Sequence, residues 1–217
     1  MKDLTLTQEY LICTVNKKGA LPGYSQEAAA CLVISGLLEL EMEGCISIIN
    51  KKISSHGKLP EKLNSLKPLY SLVDKKKPVK LQKIIDKYII SYTDKKIRTL
   101  MNSVLSPLKE GGTVTPVTTG LIRKKERYVP TKETLDQVVE KIRAELLEKG
   151  SLTEDIVALT VLLHKAGRLK HYFSKHEQKE LKTRLAEIKN SDVEKSVRDA
   201  LNQAEVMLTL LQIVSGL

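Results

Sequence analysis

The sequence contains no tryptophan and only one phenylalanine among 217 residues. This scarcity of aromatic side chains argues against the base-stacking platforms of single-strand nucleic-acid binders. No apolar run approaches the ~20 residues of a membrane span, and the N-terminus lacks the apolar core of a secretory signal. Any contact with a membrane is therefore expected to be peripheral.

Cysteine is also sparse. The three residues, Cys13, Cys31 and Cys45, are odd in number and show no Cys-x-x-Cys spacing. Cys13 and Cys31 lie among apolar residues, which favours buried, reduced thiols rather than a disulfide framework. Reduced thiols are typical of the cytosol, so a cytoplasmic protein is expected.

Catalytic motifs are missing as well. The chain has no glycine-rich phosphate loop, no Gly-x-Ser-x-Gly elbow and no His-Glu-x-x-His pair. His164, His171 and His176 are close in sequence but lack the spacing of metal ligands. No pair of carboxylates is placed for acid–base chemistry. We therefore expect a binding protein without catalytic residues, metal site or cofactor.

Positive charge is what the chain has in excess. Lys and Arg total 36 against 26 Asp and Glu, for a formal net charge of +10. Such an excess favours anionic partners, namely nucleic acid, acidic lipid or acidic protein. The alternative is a lysine-rich surface that serves only solubility.

Apolar spacing predicts a mostly α-helical protein, organised as a single domain over residues 1–217. A helix that begins after Ser25 and ends near Glu43 is apolar enough to be central. The spacing of apolar residues from Leu81 to Tyr92 predicts an amphipathic helix, and another follows to Glu110. Residues 51–58 look like a polar link between elements.

One segment breaks the helical pattern. Between residues 112 and 130, Thr and Val cluster on both sides of a turn at Thr118-Thr119-Gly120. The pattern predicts a projecting β-hairpin arm. Alternation in its second strand would place Arg123, Lys125 and Arg127 on one face.

The cationic arm is compatible with three functions. It could be the wing of a winged-helix nucleic-acid binder, with Lys95, Lys96 and Arg98 on the recognition helix. It could be a hairpin for oligomerisation or for contact with anionic headgroups. It could also be a solvated edge hairpin whose charges prevent aggregation.

Several segments resemble the Golgi phosphoprotein 3 family. They are Leu4-Thr-Leu-Thr-Gln-Glu-Tyr-Leu-Ile, Asn16-Lys-Lys-Gly19, Leu38-Glu-Leu-Glu-Met-Glu-Gly44, Leu108-Lys-Glu-Gly-Gly-Thr-Val114, the arm to Pro130 and the helical run from Val138 to Val161. The resemblance implies a helical domain whose β-hairpin mediates self-association. It also implies peripheral membrane binding through phosphatidylinositol 4-phosphate, with client protein tails as further partners. The Lys- and Ile-rich composition favours a bacterial member.

The lipid site that the resemblance implies is only partly present. The family's tryptophan falls at Tyr24, its first arginine at Val33, and its Arg-x-x-Arg pair at Arg98 and Met101. Arg98 and Tyr24 are therefore the expected headgroup contacts, and Lys95 and Lys96 are auxiliary cations. The expected residues for self-association or contact with an anionic surface are Arg123, Lys125, Arg127 and Tyr128. Headgroup selectivity is expected to suffer from the lost arginines, and nucleic acid is the less favoured partner.

Overall fold

In the part of the chain that the structure describes, the fold is mainly α-helical with two small antiparallel sheets, which confirms the predicted fold class and its hairpin. The computed structural model describes residues 4–22, 26–90, 94–120, 124–148, 150–191 and 193–214. The helices are α1 Leu6–Thr14, α2 Gln26–Met42, α3 Lys67–Val73, α4 Leu81–Ile89, α5 Lys95–Glu110, α6 Lys132–Ile142, α7 Glu154–Lys165, α8 Lys175–Asn190 and α9 Lys195–Val214. The strands are β1 Ile46–Ile49, β2 Lys52–Ser55, β3 Val79–Lys80, β4 Val114–Thr119 and β5 Lys125–Pro130.

Short 3₁₀ helices at Glu61–Leu66 and Leu169–His171 join these elements, and α6 continues as a π-helical turn over Arg143–Leu147.

Helices α1 and α2 form the centre of the fold. Every residue of α1 is buried, and α2 is buried along most of its length, as its apolar sequence predicts. The helices α5, α6 and α7 pack around α1, and α3, α4, α7 and α9 pack around α2. Because α1 begins inside the protein, its first N–H groups need internal partners. Glu39 of α2 supplies one, accepting a hydrogen bond from the Thr7 N–H at 2.9 Å.

A partly buried charge network joins α1 to α6 and α7. The Lys141 ammonium lies 3.2 Å from a Glu9 carboxylate oxygen and 3.1 Å from an Asp155 oxygen. Burial raises the pKa of Glu9 to about 7, although the positive charge of Lys141 opposes the shift. Burial also opposes ionisation of Asp155, yet hydrogen bonds from Thr153 and Lys141 hold its pKa below the usual range. Lys141 is therefore the main compensation for charge in this part of the core.

The three cysteines are free and buried. Burial raises the pKa of the Cys31 thiol to about 12, and it raises the pKa of Cys13 further. These thiols therefore pack as small apolar groups, as expected for Cys13 and Cys31.

The first sheet follows α2 and has the order β1-β2-β3. Its middle strand lies within residues 51–58, so the prediction of a polar link was wrong. The error has a simple cause, because only Ile53 of β2 is fully buried and the other residues of the strand are polar. A tight turn at Asn50 and Lys51, both with positive φ (50° and 60°), joins β1 to β2.

The second sheet is the predicted hairpin, formed by β4 and β5 alone among the described residues. Val114 lies opposite Pro130 at its base, and Thr119 lies opposite Lys125 toward its tip. Val114 is buried and anchors the base of the hairpin to the end of α5. The hairpin thus begins as a continuation of the core.

Candidate functional site

A cleft of about 1020 Å³ lies between α5, the hairpin and the loop that follows α1. The loop contributes residues 19–22, α2 its first turn, α4 its last turn, and β5 the segment Glu126 to Tyr128. Helix α5 lines the cleft along most of its length, from Lys95 to Lys109. The cleft is thus built from segments that are far apart in sequence.

The base of the cleft is apolar. Ile97, Met101 and Leu105 recur every four residues on α5, so they form one ridge along the helix. All three are buried. Tyr88 of α4, also buried, closes the base beside them. Exposed polar side chains of the same helix, including Arg98 and Asn102, border this ridge.

The hairpin forms one wall because it packs directly on the loop after α1. Gly19 has a φ of +63°, and a Cβ there would lie 2.5 Å from the Cβ of Arg127. It would also lie 3.0 Å from the backbone nitrogen and oxygen of Tyr128. Only glycine combines this backbone conformation with such a close approach. The Arg127 guanidinium donates a weak hydrogen bond to the Gly19 carbonyl at 3.5 Å.

The end of α5 holds the same wall. The Lys109 ammonium lies 3.7 Å from the centre of the Tyr128 ring, a cation–π contact. The Tyr128 hydroxyl in turn donates to the Glu126 carboxylate. Tyr128 is therefore fixed between α5 and the loop, and the base of the hairpin is held in place.

Positive charge predominates at the rim. The charged residues lining the cleft are the cations Lys95, Arg98, Lys109 and Arg127 and the carboxylates Asp94 and Glu126. Within the described residues, no salt bridge neutralises any of these four cations. The N-terminus of α5, where the helix dipole is positive, also opens here. The cleft can accept a compact anion over an apolar base.

Most of the chain matches a known protein family. A family model described as Golgi phosphoprotein 3 (GPP34) matches residues 6–204. The chain belongs to the Golgi phosphoprotein 3 family. The match includes the described lining of the cleft and both strands of the hairpin. Comparison with curated proteins gave no significant match.

In this Golgi phosphoprotein 3 family member, the predicted site residues fall in different places. Arg98 and Lys95 line the cleft, whereas Lys96 is exposed on α5 and does not line it. Arg127 and Tyr128, predicted as surface contacts of the arm, are partly buried and line the cleft wall.

Other predicted residues are not placed by the structure. Tyr24 and Arg123 lie outside the described residues. For Lys125 the backbone position is described, opposite Thr119, but the side chain is not.

Lys109 was missed by the sequence analysis, although a signal for it exists. Lys109 follows Arg98 by eleven residues, which is close to three full turns of an α-helix. The two cations therefore lie on the same side of α5. Helical periodicity alone could have placed Lys109 beside the cleft.

Val33 and Met101, the two positions at which the resemblance implied an arginine, are apolar and buried. Val33 is fully buried within α2, and Met101 is 7% exposed at the base of the cleft. Both side chains pack in the hydrophobic core. The cationic rim is thus built by α5 and β5, without help from α2.

No described helix has both the length and the apolar character needed to cross a bilayer. Among the described residues, no group of three His, Cys, Asp or Glu side chains is arranged to hold a metal ion.

Proposed function

We propose that this protein is a non-enzymatic, peripheral membrane protein that binds the phosphorylated headgroups of anionic lipids in the α5–hairpin cleft. The observation that carries the proposal is the group of Lys95, Arg98, Lys109 and Arg127 around one concave site, none of which forms a salt bridge within the described residues. Family membership supports a role of this class.

Arg98 is the main expected contact. A guanidinium forms paired, charge-assisted hydrogen bonds with phosphate oxygens, whereas an ammonium acts as a point charge. Arg98 lies one turn into α5, next to the positive end of the helix dipole. Lys95 lies three residues earlier on the same side, so both can approach one phosphate group.

Selectivity among headgroups is expected to be modest. Val33 and Met101 supply no cation, so headgroup recognition depends on Arg98 and the three other cations of the cleft. Two of these are lysines, which act as point charges, and the third is an arginine that already donates a hydrogen bond within the protein. Attraction by point charges follows the charge of the headgroup more than its shape. Affinity should therefore rise with the number of phosphates, and phosphatidylinositol 4-phosphate should exceed phosphatidylserine by its charge.

Vesicle sedimentation tests this proposal. Wild type should bind phosphatidylcholine vesicles that contain phosphatidylinositol 4-phosphate, and Arg98→Gln should weaken binding about tenfold or more. Lys96→Gln is the matched control, since it makes the same change of charge on the same helix outside the cleft. The Lys96→Gln substitution should weaken vesicle binding by no more than about fivefold, which is the loss expected when any one cation near the membrane surface is removed.

Equal losses in Arg98→Gln and Lys96→Gln would contradict a headgroup site in the cleft. Displacement of bound vesicles by duplex DNA near physiological salt would instead support the nucleic-acid interpretation.

We also propose self-association through the hairpin. Within the described residues, β4 and β5 pair only with each other. The loop after α1 lies against β5 at Arg127 and Tyr128, so the outer edge of β4 is the one that a further strand would extend. A two-stranded hairpin on its own is only marginally stable, and pairing with a second copy would extend the sheet. Thr115, Pro116 and Thr118 of β4 are exposed.

A shortened hairpin tests the assembly. Val117 lies directly opposite Arg127, so a two-residue Asn-Gly turn can replace Thr118–Glu126 and keep the base of the hairpin. In sedimentation velocity, wild type should form dimers or larger assemblies as concentration rises, and the shortened variant should remain monomeric. A wild-type protein that is monomeric at every concentration would refute self-association. An unchanged unfolding midpoint in the variant would show that its fold is intact.

A further inference from the structure

The outer face of the β1-β2-β3 sheet carries an unusual row of side chains. Ile49 lies directly opposite Lys52, and Lys52 lies directly opposite Lys80. Directly opposed residues of antiparallel strands place their side chains on the same face. The three therefore form one row, Ile-Lys-Lys, across the sheet. All three are exposed, Ile49 to 67%.

The other face of this sheet packs against the hydrophobic core. The adjacent row is Ile48, Ile53 and Val79, of which the first two are buried and the third is partly buried and packed against the core. The sheet thus has one apolar face turned inward. Ile49 has no part in that packing, although isoleucine is among the residues most often buried in proteins.

The charges of the outer row are also unbalanced. Two lysines directly opposite each other destabilise a strand pair. Lys51 precedes Lys52 in the turn, and an exposed run, Lys75 to Lys77, leads into β3. Among the described side chains, no carboxylate forms a salt bridge with any of these lysines. The nearby Asp74 accepts a hydrogen bond from Ser55 instead.

The turn holds this arrangement in a defined geometry. Asn50 and Lys51 both have positive φ, as a two-residue turn of the type I′ class requires. That turn places Ile49 and Lys52 side by side at the end of the β1–β2 hairpin. An apolar side chain is therefore presented at a tip, flanked by cations.

We propose that this outer face, defined by Ile49, Lys51, Lys52 and Lys80, is a second docking surface that contacts an anionic lipid bilayer. Ile49 enters the interface between headgroups and acyl chains, and the three lysines contact lipid phosphates. A bilayer interface offers negative charge and apolar depth at the same place.

Other occupants fit the face less well. A nucleic-acid backbone would pair with the lysines, but it offers no apolar layer for the isoleucine at the tip of the β1–β2 hairpin. A stable protein partner buries about 800 Å² on each side, usually around an apolar centre with several large side chains. The row presents a single exposed isoleucine. A bilayer therefore matches both the charge and the small apolar tip.

The face is separate from the cleft but connected to it by one helix. Lys80 is the N-cap of α4, and Ile89 at the other end of α4 lines the cleft. The nine residues of α4 span about 13 Å. Binding by the sheet face does not depend on headgroup binding in the cleft.

A fluorescent probe tests the face directly. The native chain has no tryptophan, so Ile49→Trp introduces the only indole. On vesicles of phosphatidylcholine and phosphatidylserine, its emission should shift to shorter wavelength and be quenched by brominated acyl chains. Val206→Trp is the control, because Val206 is an exposed apolar residue (44%) on α9, and its emission should not change on binding. An unshifted Ile49→Trp spectrum on bound protein would overturn the proposal.

Affinity changes separate this proposal from the cleft. Ile49→Ser should weaken vesicle binding about tenfold, and the Lys52→Gln/Lys80→Gln pair should weaken it tenfold or more. Lys170→Gln/Lys179→Gln, two exposed lysines elsewhere, should change it less. On phosphatidylcholine vesicles that contain phosphatidylinositol 4-phosphate, loss of binding in the sheet variants but not in Arg98→Gln would refute the cleft proposal and support this one. If only Arg98→Gln loses binding, or wild type ignores anionic vesicles, docking by the sheet is wrong.

Discussion

Lys141→Met is expected to lower the free energy of unfolding by about 3 kcal/mol near pH 8. The substitution leaves Glu9 and Asp155 without their shared cation, and the Glu9 side chain is only 3% exposed. Removing one partner of a buried ion pair costs more than the pair contributes, because the remaining charge has lost its solvent and its compensation. The expected loss lies at the lower end of the range for broken buried ion pairs, because the Lys141 side chain is 41% exposed.

Denaturant unfolding measures this effect, and Lys132→Met is the matched control. Lys132 is on the same helix and pairs with Asp136, but both side chains are exposed. Its substitution should leave the free energy of unfolding essentially unchanged, because an exposed ion pair contributes little. A double-mutant cycle with Glu9→Gln should show that the two substitutions are strongly coupled. Equal losses for the two lysine variants would exclude a special role for the buried network.

The second large effect is a dependence of stability on pH. The pKa of Glu9 is about 7 in the native protein and ordinarily 4.5, so the native state binds this proton more tightly than the unfolded state. The stabilisation is complete below pH 4.5 and is lost as pH rises toward 7. The shift predicts a decrease of about 3 kcal/mol in the free energy of unfolding across this window.

Unfolding midpoints measured across this window should therefore fall in wild type, and Glu9→Gln should remove the Glu9 contribution to that slope. Glu177→Gln serves as the control. Hydrogen bonds from Ser174, with help from Arg143, lower the pKa of Glu177 to about 2, so its contribution is lost only as pH falls below 4.5. The Glu177→Gln substitution should therefore leave the dependence of stability on pH unchanged above pH 4.5. A slope that survives in Glu9→Gln would show that another group carries the pH dependence.

The helices were the easiest part of the fold to predict from sequence. The apolar spacing in α4 and α5 reflects local geometry, because residues three and four apart share a face. The hairpin was also predictable, since Thr and Val cluster around Gly120. Strand β2 was not, because a four-residue strand with one fully buried side chain carries almost no periodic signal.

The candidate site was only half predictable for a different reason. Arg98 was expected from the resemblance to the family, with Lys95 as an auxiliary cation, and both line the cleft. The position of Arg127 and Tyr128 depends on their contact with Gly19, more than 100 residues earlier in the chain. Such contacts arise from the packing of the whole fold, so no local pattern in the arm indicates that it forms a wall of the cleft.

The central claim is that the cleft binds a phosphorylated headgroup through Arg98. Isothermal titration with inositol 1,4-bisphosphate, the soluble headgroup of phosphatidylinositol 4-phosphate, tests it without any contribution from a membrane surface. Wild type should show saturable binding to one site, Arg98→Gln should lose about tenfold or more, and Lys96→Gln should stay within about twofold. No binding to wild type at low salt, or equal affinity in the two variants, would contradict the claim.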